Sequence, residues 1–257
     1  ESDGYITLSK GQIIRFDLPE EPNGELLTRV VADGITSPRG LAIIDDVLYV
    51  VDLGPMPCKT FRCQGPDIPG MEDFEGEATI IEQSNGSVFA FDVLSDGALS
   101  NKRTILTGLP AANFAHGAQG LTVGPDGLLY MSIGGFLFLY DKPALVETIE
   151  HTNIDLLGKI VRFEPDGSGL EIFAEGFRNV YGLAFDEQGQ LWGVDNDGLA
   201  MGGWRREEIL QIKHGANYGY PTEGSFGPHQ IRDDHAVWIT DAIGSAGIQW
   251  AENLGMQ

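Results

Sequence analysis

The chain has almost no cysteine, few basic residues and no long apolar run, and each shortage closes off a class of protein. Among its 257 residues only Cys58 and Cys63 are cysteines, and the histidines number five. No second Cys or His pair accompanies the two thiols, so neither a zinc site nor a CxxC redox motif can be assembled from this spacing. Lysine and arginine together number 16 against 38 acidic residues, a formal net charge of −22. A field of that sign repels phosphate backbones and anionic bilayers, which argues against a nucleic-acid role. No apolar stretch approaches the roughly 20 residues that span a bilayer. No Ser/Gly or Pro-rich tract divides the sequence, so one domain over residues 1–257 is expected.

What the chain has in abundance is glycine, 35 residues, and a repeated phrase built on it. The phrase reads PRGLAI around Gly40, AQGLTV around Gly120, VYGLAF around Gly182 and SAGIQW around Gly247, at spacings of 80, 62 and 65 residues. Three copies are followed by a turn and a second strand-like run: VLYVVD from Val47, LLYMSI from Leu128 and QLWGVD from Gln190. A companion phrase is interleaved: GQIIRFD from Gly11, GSVFAFD from Gly86, GKIVRFE from Gly158 and a diverged EEILQIK from Glu207. Short β-rich runs parted by Gly, Asp and Pro and repeated at this scale predict the blades of an all-β propeller. GPDG at 124–127 and DEQG at 186–189 supply the turns between first and second strands. The companion phrase is the third strand, and runs such as 103–106 and 170–174 are the fourth. A glycine ahead of each first strand fits close backbone packing near a crowded central channel. Helix is expected nowhere beyond a possible turn at 143–151.

Counting strands gives about three in the opening blade, four in each of the next three and one at 248–250. That is about 16 strands where six four-stranded blades need about 24. The expectation is about four blades' worth of a longer propeller. The alternatives are that another chain or self-association supplies the missing blades, or that a smaller propeller closes on its first blade.

The two cysteines sit five apart in the loop PMPCKTFRCQGP, and a local disulfide there is expected, which implies export. The opening on Glu1 suits removal of a signal peptide or trimming to an ordered fragment, and a secreted, periplasmic or extracellular location is expected. Loops as long as 53–84 usually cover or shape a site. Part of the acidic surplus is expected to gather around calcium, which takes six to eight oxygen ligands.

The stretches HGAQGLTVGPDGLLYMSIG from His116, GKIVRFEPDGSG from Gly158, GFRNVYGLAFDEQGQLW from Gly176 and EEILQIKHGANYGYP from Glu207 occur in this order. Together they resemble the soluble glucose/sorbosone dehydrogenases that use pyrroloquinoline quinone (PQQ), which are six-bladed β-propellers. The resemblance is close over residues 113–221 and looser in the flanks. It implies a dehydrogenase that oxidises a sugar or related alcohol with PQQ and calcium. His116 falls where the family places the general base, and a histidine titrates near working pH. Arg178 and Asn179 match the pair that contacts the anionic cofactor, where a planar guanidinium suits paired oxygens. Glu208 and Tyr218 match positions that hold calcium, the tyrosine through its carbonyl, and 195–198 lies where backbone oxygens reach the cofactor's calcium. The remaining histidines show no ligand spacing.

Three departures temper what the resemblance implies. Gly135 stands where the family has an acidic residue that orients the base, so His116 lacks the orienting carboxylate and is expected to be harder to hold in one tautomer. Asp197 and Gly198 replace the Gly-Pro that faces calcium. The segment FLFLYDKP after Gly135 is apolar where sugar contacts belong, which disfavours glucose itself. Two other functions therefore stand beside the dehydrogenase: a noncatalytic calcium-binding propeller, and a calcium-dependent lactonase-like hydrolase.

Overall fold

The computed structural model describes residues 3–8, 11–17, 24–54, 86–113, 116–135, 154–196, 206–220 and 236–241. The cysteine loop, Asp197, Gly198, the 143–151 segment, Gly247 and the 248–250 strand lie outside them. The described residues form four antiparallel sheets. The first is β1 (Asp3–Leu8), β2 (Gln12–Asp17) and β3 (Leu27–Ala32). The second is β4 (Pro38–Ile44), β5 (Val47–Asp52), β6 (Gly86–Val93) and β7 (Leu99–Leu109). The third adds a short β8 (Ala111–Asn113) to β9 (His116–Val123), β10 (Leu129–Ile133), β11 (Lys159–Phe163) and β12 (Glu171–Glu175). The fourth is β13 (Val180–Phe185), β14 (Leu191–Asp195), β15 (Arg206–Ile212) and β16 (Ala236–Asp241). Among the described residues the sole helical turn is a 3-10 turn at Ile154–Leu156.

This is the blade pattern of the repeat. Within each sheet the strands pair in chain order, the three glycine phrases open β4, β9 and β13, and the companion phrases are β2, β6, β11 and β15. The opening blade has three strands. Two features were not legible: β8, which folds back on His116 and Gly117, and the length of β7, which extends the expected 103–106 run at both ends. The turns are chemical repeats too. In GPDG the Gly127 N–H donates to Gly124 O (2.9 Å) with Gly127 at φ 81°. In PDGS the Gly167 N–H donates to Glu164 O (2.8 Å) with Gly167 at φ 87°. Both glycines occupy the left-handed region that side chains disfavour.

Hydrophobic side chains alternate between the two faces of the second and third sheets, and both faces of these pack against neighbouring blades. Leu48 and Val50 of β5 pack toward the first blade with Ile13 and Phe91. Tyr49 and Val51 of the same strand pack the other way, against Leu121, Leu129, Met131 and Phe163 of the third. Tyr130 of β10 then turns to Val180, Leu183, Leu191 and Leu210 of the fourth. Each interface is thus filled from a period-2 pattern, at roughly 1.5–3 kcal/mol for each fully buried large side chain.

The first strands touch directly, β9 packing between β4 and β13. A Cβ on Gly40 would stand 2.2 Å from Gln119 O and 2.8 Å from Leu121 N, and one on Gly120 would stand 2.7 Å from Tyr181 O. These neighbours are backbone and cannot swing aside. Gly40→Ala is therefore expected to cost on the order of 2–3 kcal/mol by overpacking. Gly127→Ala, which meets nothing within 4 Å, should cost only the roughly 1 kcal/mol of its positive φ. Denaturant midpoints of the two variants check the ranking.

Candidate functional site

The inner strands run in one direction, so their first residues gather at one end of the sheets. Thr36, His116 and Arg178 each stand four residues ahead of the phrase glycine, in three successive blades. In two blades the loop that carries them is clamped from the end of the second strand. Asp195 accepts the Asn179 N–H at 2.6 Å and the Arg178 N–H at 3.1 Å. Asp52 does the same for Ser37 (2.7 Å) and Thr36 (3.2 Å), and also takes the Gly54 N–H at 3.0 Å. Both aspartates are 5% exposed, and two or three amides on a carboxylate are what makes such burial tolerable.

The middle blade has Ile133 at that strand end and uses the next two glycines instead. The Gly134 N–H donates to Gly117 O (2.8 Å) and the Gly135 N–H to Arg178 O (2.7 Å). The Gly135 carbonyl in turn lies 2.5 Å from His116 Nδ1. A carbonyl only accepts, so Nδ1 carries the proton. The orienting carboxylate is absent, as the glycine requires, and the residue standing where the acid belongs supplies its main-chain carbonyl instead.

His116 is 5% exposed. Burial first, and the Arg178 charge second, lower its pKa to about 3 against the opposing effect of the Gly135 hydrogen bond. At neutral pH the ring is uncharged, with its lone pair on Nε2. The Arg178 guanidinium is part-buried, and its Nη1 donates to Asn196 O (2.6 Å) and Asn196 Oδ1 (3.0 Å), both neutral acceptors. Asn179 faces inward. It is 2% exposed, and its Oδ1 accepts from Gln119 Nε2 across the blade interface. Of the sequence pair, Arg178 offers a charge and Asn179 a side chain bound to Gln119.

The metal-ligand candidates are only partly brought together. Glu208 pairs directly with Asp195 across β14 and β15, which puts two carboxylates on one face beside the Arg178 loop. The Tyr218 phenol, not the carbonyl assigned to calcium, has partners of its own. It donates to Gln211 O (2.6 Å) and accepts from the Lys213 N–H (3.0 Å), at the other end of β15. The Tyr218 ring stacks on Phe177, with centroids 4.6 Å apart. Among the described residues no three His, Cys, Asp or Glu side chains converge as a metal site. A cavity of about 310 Å³ lined by Asp126, Tyr130, Phe173 and Lys213 lies at the hairpin end of the strands, away from His116.

Sequence reasoning missed Gln119, the clamping role of Asp195 and the use of Gly134 and Gly135. Aligning VLYVVD with QLWGVD would have shown that Asp52 and Asp195 are one repeated device. Asp195→Ala leaves two backbone N–H groups without this acceptor. It is expected to cost about 3 kcal/mol and to release Arg178, whereas Asp52→Ala should cost a similar amount without disturbing Arg178. Urea unfolding of both variants checks the first part.

The sheets define a β-propeller, and solved structures share this fold. The PQQ-bound aldose sugar dehydrogenase of Streptomyces coelicolor superposes with a TM-score of 0.57 at 21% identity, over 94% of this chain and 66% of that one. A putative oxidoreductase (glucose dehydrogenase) of Thermus thermophilus gives 0.55 at 21% identity, over 88% and 65%. The PQQ domain of Coprinopsis cinerea pyranose dehydrogenase, in its holo form, gives 0.50 at 14% identity, over 83% and 51%. The chain thus spans just under two thirds of the first two structures. The family model described as a domain of unknown function, DUF7133, matches residues 67–227, and the chain belongs to that family. No curated protein matches it.

Proposed function

We propose that this chain is the site-bearing part of an exported dehydrogenase that oxidises a sugar or related alcohol with PQQ, and that it belongs to a longer propeller. The observation that carries the reading is the pairing of a buried, neutral, oriented His116 with the Arg178 cation at the same end of adjacent inner strands. An anionic quinone fits this donor set, because Arg178 presents a charge that its Asn196 partners do not neutralise. When bound, the quinone would accept the hydride. His116 takes the hydroxyl proton of the alcohol on Nε2 while the Gly135 carbonyl holds Nδ1–H. Arg178 favours negative charge on the cofactor side, with its guanidinium held by Asn196 and its main chain by Asp195. An anion seated on Arg178 also offsets one of the two causes that depress His116, which raises its basicity when the cofactor is present.

Calcium is part of the proposal, beside Glu208 and the 195–198 segment, where two paired carboxylates stand together. Saturating calcium should raise the melting temperature, and Glu208→Gln should weaken the rise. An unchanged melting temperature would remove the site. The proposal as a whole is tested by adding PQQ and calcium and following dye reduction across a panel of aldoses and simple alcohols. Reduction that depends on both quinone and substrate supports it; none across the panel counts against it.

A further inference from the structure

Gly135 is held more firmly than a loop glycine needs to be. Its N–H is tied to Arg178 O (2.7 Å), and the preceding N–H is tied to Gly117 O (2.8 Å). The Gly158 N–H, which donates to Ile133 O (2.9 Å), brings β11 up behind it. A Cβ at residue 135 would stand 3.1 Å from Gly158 Cα, 3.2 Å from Gly158 N and 3.2 Å from Phe177 O. A Cβ at residue 134 would stand 2.4 Å from Asn179 Oδ1 and 3.1 Å from His116 Cα. A side chain at residue 134 would displace Asn179, and one at residue 135 would press on the Gly158 and Phe177 backbones. Two glycines let the main chain itself come within reach of the ring.

We propose that the Gly135 main-chain carbonyl is the positioning group for His116, fixing the tautomer with the proton on Nδ1 and the acceptor lone pair on Nε2. This rests on the dehydrogenase reading only for the use made of Nε2; the tautomer itself does not depend on it. The three linked groups form a chain from one blade to the next: Arg178 O accepts from Gly135 N–H, and Gly135 O accepts from His116 Nδ1–H. A neutral carbonyl fixes direction as a carboxylate would, but it adds no negative charge to stabilise the imidazolium. The site therefore orients the base without charging it.

Proton-nitrogen correlation spectra of the full chain, labelled with nitrogen-15, test this directly. The His116 signals are assigned by their loss in His116→Asn. The expected result at neutral pH is a protonated, pyrrole-type Nδ1 and an unprotonated, pyridine-type Nε2 in the wild-type protein. Gly135→Ala, whose methyl must push against Gly158 and Phe177, is expected to shift the His116 signals toward the other tautomer while the other histidines stay put. A wild-type ring protonated on Nε2, or exchanging evenly between tautomers, would overturn the proposal, as would folded Gly135→Ala with unchanged His116 signals. Failure to reduce dye leaves these spectra unaffected, so loss of the dehydrogenase reading and loss of this one are told apart.

Discussion

His116→Ala is expected to lower turnover by about 10²- to 10⁴-fold, the range for removing a positioned general base, with PQQ affinity within about twofold of wild type. The separation follows from the layout. His116 is reached through Gly135, whereas the charge that holds an anion is on Arg178, fixed independently by Asn196 and by the Asp195 clamp. The pH profile adds a second signature. An unperturbed histidine near 6.5 gives an acid limb at about that pH, but here burial and Arg178 lower the pKa to about 3. The acid limb of kcat/KM should lie well below pH 6, because the competent neutral ring persists there. Steady-state rates from pH 4.5 to 8 check it. A limb at or above 6.5 would mean that His116 is not the base.

The second large effect is on stability, and it needs no substrate. Between pH 6.5 and the folded pKa of about 3, the unfolded chain binds a proton at residue 116 that the folded chain refuses. Stability therefore falls as the pH drops through this window, by on the order of 5 kcal/mol in total and about 2–3 kcal/mol by pH 4.5. His116→Asn, whose amide can still donate to Gly135 O, should lack this component. Carboxylates add their own loss at lower pH in both proteins. Glu175, held below its usual range by Lys159, contributes above its unfolded pKa and loses that contribution as the pH falls through its folded pKa. Such losses cancel in the comparison. Urea midpoints at pH 7 and 4.5 for wild type and His116→Asn give the difference; parallel lines would contradict a buried, neutral His116.

The blades were legible because a sheet buried on both faces writes period-2 runs at regular intervals, and because tight turns demand Gly and Asp at fixed places. Val47 to Asp52 shows both: its alternate side chains serve different cores, and its last residue is a clamp. Arg178 and His116 could be singled out because their phrases are distinctive. The orientation of each was not legible, since it depends on contacts between residues remote in sequence. Gly135 is the instructive case: by residue type it reads as the loss of a partner, and its carbonyl is the partner. A main-chain acceptor leaves no mark in the sequence except the glycine that lets it approach. Asn179 shows the same limit from the other side: its type marks a polar contact, but its Gln119 partner, remote in sequence, was not legible.

The central claim is that Arg178 and His116 together form an anion-accepting redox site, and equilibrium titration of PQQ into the protein with calcium present tests it most directly. The account predicts saturable binding by wild type, weakened about tenfold or more in Arg178→Ala by loss of a charge-assisted contact and nearly unchanged in His116→Ala. Binding that is absent in wild type, or equal in wild type and Arg178→Ala, would contradict it.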